Sequence, residues 1–154
     1  MAECLVVGGN GFVGSHVVDE LVANGHSVTV FDRFSSSTTA YSAPGVRRII
    51  GDFQNHAELR AALAGQQYLF HFLSTTTPAT SEDDPTLDVR TNITASIDMF
   101  DLAADSGIES VYFASTGGSI YGDQNDHVLS ENALPQPVSP YAIGKLAIEG
   151  YRWW

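Results

Sequence analysis

The stretch ECLVVGGNGFVGSHVVDELVANG near the start of the chain narrows the available folds more than any other feature. A short apolar run ends directly in glycines, and a helical pattern starts directly after them. The apolar run reads as a buried strand. Val13, Val17 and Leu21, with Val18 on the flank, then recur at helical spacing, and Gly25 follows the last turn. Between the two, Gly8, Gly11 and Gly14 match GxxGxxG, while Gly9, Gly11 and Gly14 match GxGxxG. Such a turn asks for glycine for three reasons: the tight reversal, close approach of backbone to a bound group, and close packing of helix on strand. A helix start presented this way favours an anion, because its first N–H groups are free and its dipole is positive there.

The rest of the chain repeats the alternation. SVTVFD is a second strand, and the polar segment RFSSSTTAYSAPG connects it to a third, VRRIIGD. QNHAELRAALAG reads as a helix with Leu59 and Leu63 one turn apart, QYLFHFLS as a fourth strand, and TTTPATSEDD as a loop. The longest helix is expected from DPTLDVRTNITASIDMFDLAADSG, with Asp84 as its cap and Pro85 in its first turn. Val89, Ile93, Ile97, Phe100 and Ala104 form its expected apolar stripe. ESVYFAST is a fifth strand and GGSIYGDQNDHVLSENALPQPV a long loop, after which Ser139 and Pro140 open a final helix. Strands of near-continuous apolarity alternating with helices imply an α/β fold with a parallel sheet covered on both faces. The expectation is a Rossmann-type doubly wound sheet of about five strands, order 3-2-1-4-5, with right-handed crossovers.

A length of 154 residues suggests one domain with a real core, here residues 1–154, and 44% hydrophobic with 16% charged residues reads as globular. No apolar run reaches the roughly 18 residues of a membrane span. The N-terminus lacks a basic leader, so no secretory signal is expected. The single cysteine, Cys4, allows no intramolecular disulfide and reads as a small buried hydrophobe. A cytoplasmic location follows as the default. The net charge of −11 disfavours nucleic acid and anionic membranes as partners. A lysine-poor, acid-rich composition fits either adaptation to salt or compositional drift. Histidines 16, 26, 56, 71 and 127 form no metal-ligand spacing with Cys4 or a carboxylate, so no metal is expected.

Three further positions carry candidate chemistry. Asp32 ends the second strand, where an acid accepts hydrogen bonds from a ribose 2′-hydroxyl and repels a 2′-phosphate. That favours NAD over NADP, and the adjacent Arg33 weakens the preference a little. Tyr141 and Lys145 stand at i and i+4 on one helix face. An ammonium beside a phenol favours the phenolate, which lowers the tyrosine pKa and suits it to act as general base or acid. Lys145 is the only lysine in the chain, so it fills a place that arginine, a fork of very high pKa, does not fill. Ser115 and Thr116 end the fifth strand, where a hydroxyl faces the ligand crevice of such sheets, although either is also an ordinary turn cap.

Taken together and in order, these motifs make the chain resemble the N-terminal part of the extended short-chain dehydrogenase/reductases, in their NAD-dependent epimerase/dehydratase family. GGNGFVGSHVV resembles the family's dinucleotide turn, which implies cofactor contacts from Gly8, Gly11, Phe12, Val13 and Gly14. GDF resembles its adenine contact, implying Asp52 and Phe53, and LFHFLS resembles the cofactor-lining strand end, implying Phe72, Leu73 and Ser74. TNITAS places Asn92 on the helix that supports the site. ASTGGSIYG resembles the serine/threonine segment, and SPYAIGKLAIE the YxxxK helix. The resemblance implies Tyr141 as base and acid, Lys145 as the group that holds the nicotinamide ribose and tunes Tyr141, and Ser115 or Thr116 as partner to a sugar hydroxyl.

The implied activity is nucleotide-sugar epimerisation by oxidation at C4, turning of the keto sugar, and re-reduction, with NAD as cofactor. STGGSIYG is one residue longer than the family's usual segment, which leaves Ser115 and Thr116 both open. Gly117 and Gly118 stand where the dehydratase branch carries an acidic pair, which argues against sugar dehydration, and Ser74 replaces a usual alanine. Members of the family continue well past the position of Trp154, so the C-terminal substrate domain and a sixth strand are expected to be absent. The alternative is therefore a truncated, non-catalytic NAD-binding module. The family's helices also pack across a two-fold axis. A homodimer through 85–105 and 139–154 is expected, covering Leu146, Tyr151, Trp153 and Trp154.

Overall fold

The structure, a computed structural model, describes residues 1–35, 38–123 and 128–151. It divides into two compact units, Met1–Leu73 with Asp98–Ala114, and Ser74–Ile97 with Ser115–Trp154. The strands are β1 (Glu3–Val7), β2 (Ser27–Asp32), β3 (Arg47–Ile50), β4 (Tyr68–His71) and β5 (Ser110–Phe113). The helices are α1 (Phe12–Ala23), α2 (His56–Leu63), α3 (Pro78–Asp83), α4 (Pro85–Asp88), α5 (Ala95–Asp105), α6 (Gly117–Ile120) and α7 (Pro140–Tyr151). A π-helical segment, Val89–Thr94, links α4 to α5.

In the first unit all five strands join one parallel sheet in the expected order β3-β2-β1-β4-β5. Cys4 to Val7 of the central β1 are wholly buried, as its apolar run requires. Side chains alternate between the two faces. Val6, Val28 and Val30 cluster with Val18 of α1 and with Tyr41 on one face. In the opposite phase His71 lies among aromatic rings, with Phe53, Phe100 and Phe113 at centroid distances of 6.1, 6.3 and 5.3 Å. The edge strands are less covered, with Ile50 of β3 70% and Tyr112 of β5 49% exposed.

The buried face of α1 differs from the expected one. Val13 is 55% exposed, and the buried residues are Gly14, Ser15 and Val18. The cause is Gly14: a Cβ on it would overlap the carbonyl oxygen of Gly8, so the helix approaches the turn along its glycine face.

Expectations for the chain beyond β4 are also corrected. TTTPATSEDD is not wholly a loop, since α3 forms within it. Thr77 and Thr80 make a reciprocal capping box, the Thr80 hydroxyl accepting from the Thr77 N–H at 2.8 Å, and Pro78 occupies the first turn. The segment lacks apolar periodicity, so hydrophobic pattern alone did not reveal it. The expected single long helix is α4, the π-helical segment and α5 in succession, capped as expected by Asp84, whose Oδ1 accepts from the Leu87 N–H at 2.9 Å. Its buried line is not the expected stripe. Val89 is 49% exposed and Ala104 is exposed, whereas Asp88, Asn92, Ala95, Ser96, Met99, Leu102 and Ala103 are buried. A π-helical turn holds more residues than an α turn, so it rotates the inward line relative to a 3.6-residue pattern.

The expected long loop contains the single turn α6, and its residues 124–127 lie outside the described residues. The last helix starts as expected: Ser139 caps α7, its Oγ accepting from the Ala142 N–H at 3.2 Å. Trp153 and Trp154 lie outside the described residues. No described helix is long and apolar enough to cross a membrane.

Candidate functional site

The first unit contributes the glycine turn. Gly8 leaves β1 at φ +80°, and a Cβ on it would lie 2.9 Å from the backbone nitrogen of Leu73. Its N–H donates to the Phe31 carbonyl at 3.0 Å, and its carbonyl accepts from the Gly11 N–H at 3.1 Å. Gly11 is the N-cap of α1. No side chain caps this end, and no acid stands in its first turn. The N–H groups around Phe12, Val13 and Gly14 therefore meet no side-chain cap and no acid of their own helix turn. A Cβ would be crowded at Gly8, Gly9 and Gly14 alike, at Gly9 by the Val30 side chain at 2.9 Å, and Gly8 is the one of the three that also takes a positive φ.

Asp32 is held beside this turn. Its Oδ2 accepts from the Asn10 N–H at 3.2 Å and its Oδ1 from the Phe34 N–H at 3.0 Å. Each carboxylate oxygen keeps a lone pair for a further donor. Phe34, at φ +46°, receives the Arg48 guanidinium over its ring at 4.2 Å. Arg33 is exposed. Asp52 shapes the turn into α2, its backbone N–H donating to Glu58 at 2.9 Å and its Oδ1 accepting from the Gln54 N–H at 3.0 Å. Phe53 is 3% exposed, so its ring belongs to the core packing beside His71. Phe72 and Leu73 continue from β4, half-buried, and the Phe72 N–H donates to the Val7 carbonyl at 2.9 Å.

The second unit contributes α7. Ser139 caps it, and Ser81 of α3, completely buried, accepts from the Tyr141 N–H at 3.0 Å. The backbone of Tyr141 is thus tied from outside its own helix. Lys145 is 6% exposed, and its Nζ lies 5.8 Å from the centroid of the Tyr141 ring. Burial pulls the lysine pKa down to about 8, against the attraction of the Asp88 carboxylate. Tyr141 differs from expectation: its pKa is raised, first by burial and then by Asp88. The ammonium lies over the ring face, and desolvation, with a nearby carboxylate second, disfavours the phenolate.

Asn92 is buried and fully committed. Its Oδ1 accepts from the Thr75 N–H at 2.8 Å and from the Thr75 hydroxyl at 2.9 Å, and its Nδ2 donates to Thr76 Oγ1 and Asp88 Oδ1 at 2.8 Å each. That arrangement makes Asn92 a brace for residues 75–76. The Ser74 hydroxyl donates to the Thr76 carbonyl at 2.9 Å. Ser115 is exposed. Thr116 is half-buried at the N-cap of α6, without its hydroxyl capping that helix. Both line a cavity of about 470 Å³ with Tyr121, Ser130, Glu131 and Glu149.

The structure thus brings Gly8, Gly11, Phe12, Val13, Gly14 and Asp32 together in the first unit, and Tyr141 and Lys145 together in the second. Sequence reasoning missed Ser81 and Asp88. Asp88 stands four residues before Asn92, an i, i+4 polar pair within an apolar helix, which was the available signal. Among the described residues no three His, Cys, Asp or Glu side chains group as metal ligands, and His127 lies outside the described residues.

A family model described as the NAD dependent epimerase/dehydratase family matches residues 4–153. UDP-glucose 4-epimerase of Mycolicibacterium smegmatis is 34% identical over 154 residues, covering 96% of this chain and 49% of the relative. Among solved structures, UDP-glucose 4-epimerase from Thermotoga maritima with UDP-glucose superposes with a TM-score of 0.85 at 34% identity, covering 96% of this chain and 49% of that one. The Thermus thermophilus UDP-glucose 4-epimerase complex with NAD gives a TM-score of 0.87 at 32% identity, covering 96% of this chain and 49% of that one. The chain therefore spans about half the length of the relatives it matches. With a family match over nearly its whole length, and the glycine turn and tyrosine–lysine helix both in place, this chain belongs to the NAD dependent epimerase/dehydratase family.

Proposed function

We propose that this chain carries the cofactor-binding and proton-transfer part of a nucleotide-sugar 4-epimerase. The observation that carries the proposal is the Tyr141–Lys145 pair on a helix tied down by Ser81 and Ser139, with the chain's only lysine buried. The residues fit NAD: the cradle at Gly8 and Gly14 is one that a Cβ would fill, the α1 terminus is uncapped, and Asp32 keeps lone pairs for a ribose hydroxyl. The pyrophosphate would sit on the N–H groups from Gly11 to Gly14. Lys145 would hold the nicotinamide ribose. NAD supplies a hydride acceptor and donor.

The chain's own part is proton transfer. Tyr141 takes the proton of the sugar 4-hydroxyl as phenolate and returns it as phenol. Ser115 or Thr116 hydrogen-bonds the same hydroxyl and orients it. In its raised state Tyr141 rests as the phenol, the form that donates the proton. This resting phenol also favours a second reading, a module that holds NAD without turnover. A homodimer belongs to the first reading, supported by exposed apolar side chains at Leu87, Val89, Ile143 and Tyr151.

Calorimetry of NAD binding to this chain, with Lys145→Ala in parallel, is the test. Micromolar binding that weakens in the variant is expected, with NAD tighter than NADP. No binding, or tighter NADP, overturns the assignment. Turnover of a UDP-sugar then separates the enzyme from the binding module.

A further inference from the structure

The second unit contains one buried acid and one buried cation, Asp88 at 2% and Lys145 at 6% exposure. Among the described residues no other Asp, Glu, Lys or Arg is buried. Asp88 is anchored through a single oxygen: the Thr76 hydroxyl and Asn92 Nδ2 both donate to its Oδ1. The other oxygen, Oδ2, abuts α7 at Gly144, where a Cβ would overlap it. Gly144 directly precedes Lys145. The carboxylate thus reaches the tyrosine–lysine helix because a glycine leaves room for it.

We propose that Asp88 is a positioning residue for Lys145: its carboxylate, braced by Thr76 and Asn92 and admitted by Gly144, keeps the ε-amine protonated beside Tyr141. The physical need is plain, since a buried ammonium without a counter-charge sheds its proton. Burial acts on Lys145 in that direction, and Asp88 is the charge that opposes it. The other ionisable groups on elements packed against α7 are Glu82 and Asp83 on α3 and Arg90 in the π-helical segment, all exposed, and α6 carries none. Glu149 on α7 itself is half-buried. Exposed charges act through water and are screened. Tyr141 is kept as the phenol first by its own burial, and the same carboxylate adds to that effect, so Asp88 acts on both members of the pair in the protonating direction. The functional meaning of this device rests on the reading of Tyr141 and Lys145 as the working pair.

The test uses the single lysine. Lysine labelled with ¹³C at Cε gives one signal in this chain, and its pH titration reads Lys145 alone. The wild-type midpoint is expected near about 8. In Asp88→Asn, which keeps an oxygen to accept from Thr76 and Asn92, the midpoint should fall by about one pH unit or more. Gly144→Ala keeps every charge but displaces the carboxylate, and it should move the midpoint the same way. It decides the matter if Asp88→Asn does not fold. An unchanged midpoint in a folded variant overturns the proposal. Failure of NAD to bind would instead overturn the functional reading and leave this titration standing.

Discussion

Lys145 is carried into the folded state against its own solvation, and that gives stability a pH dependence. Its folded pKa of about 8 lies below the ordinary lysine value of 10.5. Between those values the unfolded chain binds more protons than the folded one, so stability rises with pH across the window. The gain is on the order of 3 kcal/mol, present in full only above the unfolded value. Tyr141 works the other way above about pH 10, because its raised pKa makes the folded state hold its proton longer. Urea melts at a series of pH values should therefore give a midpoint that climbs from about pH 8 toward 10 in the wild type. In Lys145→Met that climb should vanish, and a variant with the same slope would refute the assignment. The lysine's importance was legible from its being alone. The direction of the tyrosine shift was not, because it comes first from burial and then from Asp88, and no spacing rule attached either to Tyr141.

Among the elements, α3 matters most for its size. It is a helix of six residues, and it delivers Ser81 to the Tyr141 N–H. A helix this short has little stability of its own, so its threonine capping box and its packing hold it. Thr77→Ala should cost about 1 kcal/mol, read as a lower urea midpoint with an unchanged slope. No loss would mean that the cap is incidental. The central strands and α7 were legible because their signals are local: apolar runs, a serine cap and a proline. The π-helical segment and the buried face of α1 were not, since both are set by what the helix packs against.

Over the whole chain, the net charge of −11 opposes any association of two copies. Screening removes most of that repulsion as the Debye length falls from ~30 Å at 0.01 M salt to ~3 Å at 1 M. If α7 and the 85–105 segment form a dimer interface, sedimentation should find dimers that strengthen with salt. A monomer at micromolar concentration in high salt would count against that interface.

The sequence by itself determined the family, the strand order and the helix that carries Tyr141 and Lys145. Those depend on contiguous residues: apolar strands, a glycine turn, a capped helix with two side chains one turn apart. Only the tertiary structure decided the protonation of that pair. Solvation and charge act through space, and they brought Asp88, 57 positions before Lys145 by the residue numbers, against the same helix.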